Sequence, residues 1–517
     1  MKRFTILSLA GVGLVACAPE GSVEIDNYAE LELDTAAGDF ADVEYDLQWD
    51  DPQYKPWVDR WAPDGYTIDI PLGTSRADTI DHATWKGESD GDRFGMSVAA
   101  GGDMNGDGVS EILTGSLYKS GSGGGDGATY MQKGAYATGD SNIGGAKGRY
   151  YGVSGSGAGE MLGSGGDIDG DGKDDFVIGG RYYDDEVETW KVNNGIVHVV
   201  LGFTRGKNDM PSGAVATIDG DKAYDYFGAG VDIVGDVDGD GNDDFVVGAT
   251  GADDNGSGSG AAYLFYGPIT ADASSTSADA TIAGESAGDA AGARIRGIGD
   301  WDGDGSDDFA LGVRFEDTSG ADAGAVYIIT ASTMPTDLGD ADVIVRGNLA
   351  GSQAGTGIAG GDMSGDGYAD IVVGALGHGN SGAAYYLEGP TVTSGAKVGA
   401  EADQKFSGQL AGDQFGSAVA IGDINGDDVS DVLVAANRQS SNDRGAVYGF
   451  YGPFSGGTTI QAFNADTKIV GVGSGDYFGS SVDYVESADW AYRNMVVVGA
   501  SKRGSGDKGA VYLFRVD

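Results

Sequence analysis

One nine-residue acidic pattern, written six times at a nearly constant interval, limits what this chain of 517 residues can fold into. The copies are DMNGDGVSE from Asp103, DIDGDGKDD from Asp167, DVDGDGNDD from Asp236, DWDGDGSDD from Asp300, DMSGDGYAD from Asp362 and DINGDDVSD from Asp423. Successive copies begin 64, 69, 64, 62 and 61 residues apart. A fixed period of that kind marks one supersecondary unit repeated along the chain, and its size is that of a propeller blade.

Within each copy, positions 1, 3, 5 and 9 carry oxygen donors. They are Asp103, Asn105, Asp107 and Glu111 in the first copy, Asp167, Asp169, Asp171 and Asp175 in the second, and Asp236, Asp238, Asp240 and Asp244 in the third. The fourth has Asp300, Asp302, Asp304 and Asp308, the fifth Asp362, Ser364, Asp366 and Asp370, and the sixth Asp423, Asn425, Asp427 and Asp431. Position 7 varies freely (Val109, Lys173, Asn242, Ser306, Tyr368, Val429), as expected of a residue that lends only its backbone carbonyl. Glycine fills position 4 every time and position 6 in five of the six, where the chain must turn around an ion; Asp428 breaks the pattern in the last copy. Oxygen donors without His or Cys favour a hard cation, and six or more flexible donors suit Ca²⁺ better than Mg²⁺. Six Ca²⁺ ions are therefore expected.

The first half of the pattern also opens an EF-hand loop, which requires a carboxylate at position 12 and a helix after it. Position 12 here is Thr114, Ile178, Val247, Leu311, Val373 and Val434, inside short β-branched runs that read as buried strands. Each loop thus joins two strands. A solvated Asp-Gly hairpin tip needs one Asp or Gly, not four donors in fixed register six times over.

A larger unit surrounds each loop. Phe-Gly or a relative precedes it (Phe94-Gly95, Ala158-Gly159, Phe227-Gly228, Ala291-Gly292, Phe415-Gly416). After the apolar strand comes a segment such as GAAYLFYGP from Gly260 or GAVYIIT from Gly324, then a short fourth strand such as ATIDG from Ala216. A seventh unit keeps Phe478-Gly479 and ends in GAVYLFRVD from Gly509, but ESADWAYRN from Glu486 has lost the alternating carboxylates. That unit stops after its third strand, whereas residues 83–87 supply a fourth-type strand ahead of the first unit. Joining them closes seven four-stranded blades into an all-β ring, which removes the exposed sheet edges that an open solenoid would keep.

The combination of Phe-Gly, DxDxDGxxD and GAVY over residues 83–517 resembles the FG-GAP repeats of the integrin α-subunit propeller. That resemblance implies calcium loops on a lower face, between the first and second strands of a blade. It places ligand and partner contacts on the opposite, upper face, in the loops joining strands two to three and four to one. The chain departs from integrins in carrying six cages, and a bacterial FG-GAP lipoprotein is the nearer likeness.

The N-terminus reads as an address. Lys2 and Arg3 precede an apolar stretch from Phe4 to Val15, and Leu14-Val-Ala-Cys17 resembles a bacterial lipobox. Residues 1–17 are expected to be a signal peptide ending at a lipidated Cys17, residues 18–63 an acidic tether and residues 64–517 the propeller. Cys17 is the only cysteine, so no intrachain disulfide forms. Ala18 in place of Asp, by resemblance to enterobacterial lipoproteins, implies the outer membrane or cell surface. Formal charge is −50, and six dications would still leave about −38, which disfavours nucleic acid and anionic lipid as direct partners.

These readings favour a calcium-binding adhesion module for an extracellular protein or glycan. Its candidate contacts are Arg181, Tyr182, Tyr183, Trp190, Arg314 and Phe315, with His378, Arg438, Arg444, Lys502 and Arg503 as further upper-loop residues. Aromatic and Arg side chains suit interface anchors. An envelope protein without a ligand is the alternative. A carboxylate-dependent hydrolase is a more distant one, because the chain's three His (His82, His198, His378) lie in separate units.

Overall fold

The apolar runs after the acidic loops set the architecture. In a computed structural model of the chain, all seven second strands, from Glu111–Ser116 to Met495–Ala500, are buried along their whole length. A strand buried on both faces shows no polar alternation, which is why FVIGG and FVVGA read as continuous hydrophobic runs. The structure describes residues 73–77, 83–119, 125–133, 141–185, 190–392, 394–398, 402–454, 456–486, 494–504 and 506–516. The expected signal peptide, Cys17 and the tether lie outside the described residues, as does most of the decayed seventh loop.

Seven antiparallel sheets form the blades. Blade 3 is representative, with strands Phe227–Gly235, Asp244–Ala249, Ala261–Phe265 and Ala280–Ala283 in spatial order. Blade 7 takes Phe478–Val485, Met495–Ala500 and Ala510–Arg515 from the C-terminal end, and its fourth strand is Ala83–Lys86. Ala83 pairs with Leu513 and Trp85 with Val511, so the ring closes as expected. The core lies between blades: Val177 and Val199 of blade 2 share one cluster with Val231, Phe245 and Val247 of blade 3.

Most blades go beyond the expected four strands. The connection between strands three and four of one blade adds a short parallel strand to the outer edge of the blade before it. Gly206–Asp209 pairs in this way with Gly148–Tyr151. Gly73–Arg76 pairs with Thr467–Val470 of blade 6, so the N-terminal segment contributes a strand to two successive blades. Six sheets are five-stranded; in blade 3 the fifth strand shrinks to a single bridge, Ala283 to Asp337. These pieces are short and polar, and their pairing partner is distant, so no local pattern announces them.

The Phe-Gly and GAVY motifs meet across every blade boundary. The glycine that opens a third strand makes a parallel bridge to the Phe-Gly position of the next blade: Gly195 to Phe227, Gly382 to Phe415, Gly445 to Phe478 and, at the closure, Gly509 to Phe94. Gly127–Ala158, Gly260–Ala291 and Gly324–Ala354 complete the seven joints, which adds Ala354-Gly355 as the blade 5 motif that sequence reading passed over. The phenylalanine then packs edge-on against the tyrosine of its own blade's third strand, as in Phe415–Tyr448, 5.4 Å between ring centres.

Glycine is required at this joint on two counts. Gly382 has φ +87°, and a Cβ there would lie 2.0 Å from the Phe415 carbonyl oxygen. Gly412 has a similar φ of +88° but open space around it. Gly382→Ala is therefore expected to cost about 3 kcal/mol or more, from left-handed strain plus overpacking, and Gly412→Ala about 1 kcal/mol. Urea unfolding midpoints of the two variants measure the difference; equal shifts would show that the joint tolerates a side chain.

Candidate cation loops and channel mouth

All six acidic loops run from the end of a first strand to the start of a second, as between Gly166 and Asp175, which puts them on one face of the ring. Each loop folds around its own first carboxylate. Asp167 accepts the N–H of Asp171 (3.0 Å) and Gly172 (2.7 Å), and Asp236 accepts those of Asp240 (3.0 Å) and Gly241 (2.9 Å). Asp103, Asp300 and Asp423 do the same within their loops, and Asp362 accepts from Gly365 (2.7 Å) and Gly367 (3.0 Å). The position 7 residues Lys173, Asn242, Ser306, Tyr368 and Val429 each donate their backbone N–H to the position 5 carboxylate. Val109 is buried.

Position 9 anchors the loop to the blade. Asp175 accepts from Ile168 N–H (2.8 Å) and from Gly202 N–H (2.6 Å), just past the third strand. Asp244, Asp308, Asp370 and Asp431 repeat this pair of bonds with Val237 and Gly267, Trp301 and Ala331, Met363 and Gly389, Ile424 and Gly452. These carboxylates are buried, and burial pushes Asp175, Asp244, Asp431 and Glu111 up to about 7 and Asp308 to about 6; Asp370 is raised as well. Two N–H bonds do not offset the desolvation, whereas an adjacent cation favours the charged form.

Three loops bring carboxylate oxygens within 4.8 Å of one another: Asp167, Asp169 and Asp175; Asp236, Asp238 and Asp244; Asp300, Asp302 and Asp304. In the other three, position 3 is Asn105, Ser364 or Asn425, so a neutral donor stands where the fuller cages have a third acid. Blade 1 leaves one acid oxygen unpaired. Asn105 donates to one oxygen of Glu111 (2.5 Å), while Glu111 Oε2 is buried without a hydrogen-bond partner. Lys133 pairs with Asp107 and Lys173 with Asp171. These clusters can hold a metal ion.

Two further positions of the loop carry structural work. Position 2 is apolar in every copy and sinks into the core, from Met104 and Ile168 to Trp301 and Ile424. Position 8 links neighbouring loops. Asp243 N–H donates to the Asp167 carbonyl (2.9 Å) and its carboxylate accepts from Asp167 N–H (2.7 Å). Asp174 pairs likewise with Asp103, and Asp307 with Asp236. An Asp-Asp pair at positions 8 and 9 thus divides into a linker between blades and a buried anchor.

On the opposite face, the expected contact residues separate. Arg181 donates to Glu160 (2.7 Å) and to the Tyr182 hydroxyl (2.6 Å), and Tyr183 is half-buried. Trp190 is 62% exposed, with Lys191 Nζ 5.6 Å from its ring centre. Arg314 is exposed, 4.6 Å over the ring of Phe315. His378 is internal, bonded to Tyr385 (3.1 Å) and Lys405 (2.9 Å), and burial pushes it down to about 4. Arg503 is paired with Asp476 (3.1 Å). Arg438 and Lys502 both sit over Tyr477.

The first strands of all seven blades line a central channel with a cavity of about 380 Å³. Glu160, Arg181, Arg294 and Arg314 occupy its upper end. Deeper in, Arg296 lies between Asp232 (4.0 Å) and Asp483 (3.5 Å). Sequence reading missed Glu160, Arg294 and Arg296. Their signal is a charged residue next to or within a first strand, as Asp232 and Asp483 also are, among mostly small or apolar neighbours.

Comparison with known proteins matches residues 354–387 and 415–450, in blades 5 and 6, to the FG-GAP repeat family. The chain is 32% identical to integrin alpha-PS5 of Drosophila melanogaster over 173 residues, which is 32% of this chain and 16% of that protein. It is 29% identical to integrin alpha pat-2 of Caenorhabditis elegans over 220 residues, 40% of this chain and 18% of the relative. The matched region is thus less than a fifth of either relative's length. With the seven-bladed ring and its repeated joints, these matches support an FG-GAP, integrin-α-like β-propeller.

Proposed function

We propose that this propeller is a calcium-stabilised adhesion module that binds an extracellular protein or glycan through its upper face. The observation that carries the reading is the placement of exposed apolar side chains. Among the described residues seven large hydrophobic side chains are exposed, and five of them (Tyr118, Trp190, Tyr224, Leu349 and Leu410) belong to upper-face loops. Exposed apolar groups gathered on one face mark interaction surfaces, and aromatic anchors carry much of the energy of such contacts. The similarity to integrin α chains supports the same assignment.

In this reading six Ca²⁺ ions occupy the lower loops, held by the carboxylates at positions 1, 3, 5 and 9 and their neutral substitutes. The orphaned Glu111 oxygen and the three gathered acid clusters support that occupancy. With calcium at about ten times a site's dissociation constant, each ion adds about 1.4 kcal/mol to stability, and six add on the order of 8 kcal/mol. Calcium is then part of the fold rather than a switch. Cys17 carries a lipid anchor that holds the protein at the cell envelope. No described helix is long and apolar enough to cross a membrane.

Two measurements test this. Metal analysis of the purified chain should find about six calcium ions, and a chelator should lower the melting temperature strongly. Asp169→Asn should weaken one site in a cage of four acids while leaving five ions bound. Absence of calcium with an unchanged melt would remove the cation reading. Separately, labelled protein should bind target cells saturably, and Trp190→Ala with Tyr224→Ala should reduce that binding at least tenfold without moving the melt. A wild-type protein with no saturable binding would instead support an envelope component without a ligand.

A further inference from the structure

The upper end of the channel concentrates positive charge in a protein whose formal charge is −50. Arg181, Arg294 and Arg314 line one cavity there, and Glu160 is its only carboxylate at that level. Arg314 comes from the loop after the second strand of blade 4 and donates no hydrogen bond to any described residue; its recorded contact is the face of Phe315. Arg294 opens the first strand of the same blade. It spends one N–H on the Thr356 carbonyl (2.9 Å) and directs another at Met161 sulfur (3.7 Å), with no ion pair among the described residues. Desolvation, only partial at the exposed Arg314, holds both guanidinium groups below their usual value, and repulsion adds to it, from Arg314 on Arg294 and from Arg181 on Arg314.

The one ion pair at this level is incomplete. Arg181 binds Glu160 through a single Nη2–Oε1 contact, and both Arg181 Nε and Glu160 Oε2 are buried without partners. A buried donor left unpaired is costly, so the pair leaves polar capacity unmet at this level. Below it, Asp232 and Asp483 share the single Arg296, so the floor keeps one net negative charge and the positive charge is confined to the upper level.

We propose that this mouth receives a single carboxylate, presented by an Asp or Glu side chain of a protein partner. Guanidinium groups bind carboxylates through paired, charge-assisted hydrogen bonds, and Arg314 and Arg294 retain free donors for them. Surrounding charge decides between ligand sources. Asp184, Asp253, Asp254, Asp317 and Asp322 are exposed on the upper loops, so an extended polyanion would be repelled on all sides of the mouth. A lone acidic side chain on an otherwise basic partner surface matches both the arginines and the acidic rim. The proposal rests on the upper-face binding reading and names its ligand chemistry.

Fluorescence anisotropy with two labelled peptides tests it. Both are lysine- and glycine-rich; one carries a central Glu and the other a Gln. The full chain should bind the Glu peptide at least tenfold more tightly than the Gln peptide. Arg314→Gln should erase that difference with an unchanged melt, because Arg314 makes no internal hydrogen bond. Glu160→Gln should tighten the Glu peptide several-fold, a direction that misfolding does not produce. Equal affinity for the two peptides, wild-type binding by Arg314→Gln, or no binding of either peptide up to millimolar concentration would each overturn the proposal. Stronger, Arg314-dependent binding of an oligouronate would overturn it in favour of a glycan. Cell binding that is lost with Trp190→Ala and Tyr224→Ala but kept with Arg314→Gln would leave the adhesion reading standing without the carboxylate.

Discussion

The parallel bridge between the glycine at the head of a third strand and the Phe-Gly position of the next blade is the contact on which the ring depends. It occurs at all seven boundaries, including Gly509 to Phe94 at the closure. The approach is so close that a Cβ on Gly509 would lie 1.9 Å from the Phe94 carbonyl oxygen. Only backbone without a side chain fits. The adjacent phenylalanine can then fill the core of its own blade, where Phe478 meets Tyr512 at 5.4 Å and Phe514 at 6.3 Å. One short motif therefore sets the spacing between blades and supplies the largest apolar group behind the joint.

A second ring of contacts runs along the lower face. Where position 8 is Asp, the loop grips its neighbour through both backbone and carboxylate, as Asp243 does with Asp167. Where it is Ala369, the backbone bond to Asp300 remains (2.9 Å) and the carboxylate bond is lost. Cation loops linked in this way share a mechanical fate. An ion that stiffens one loop also steadies the strand exit that its position 9 anchor holds and the loop that its position 8 residue grips. The proposed stabilisation by calcium would therefore be shared along the linked loops of blades 1 to 5 rather than confined to single turns.

Much of this was legible in the residues. The six loops announced themselves because oxygen donors recur at fixed short spacing, and the second strands because burial on both faces leaves an unbroken apolar run. The closure by Ala83–Lys86 followed from counting strands. The fifth strands were not legible, since two to four polar residues pairing with a neighbouring blade leave no periodic signal. Ala354-Gly355 escaped because alanine in place of phenylalanine removes the more conspicuous half of the motif. The channel arginines escaped for a different reason: Arg181 and Arg314 lie 133 residues from each other in the chain and Arg294 lies between them, so their convergence is a property of the closed ring alone.

The seventh blade shows how the ring tolerates a unit without a cage. Two side-chain hydrogen bonds join it to its neighbours on the lower face. The Tyr484 hydroxyl donates to the Asp423 carbonyl (3.0 Å), the atom type that a position 8 N–H reaches elsewhere. On the other side, Ser110 Oγ, at position 8 of the first loop, donates to the Glu486 carbonyl (2.8 Å). The blade that lacks the cage is also the one assembled from both ends of the propeller. A cation loop needs its two flanking strands in place before its carboxylates converge, whereas a tyrosine hydroxyl and a serine hydroxyl need only the neighbouring blade to arrive. Side-chain hydrogen bonds at the seam therefore hold the seventh blade to both neighbours on the face where the acidic loops bond to one another.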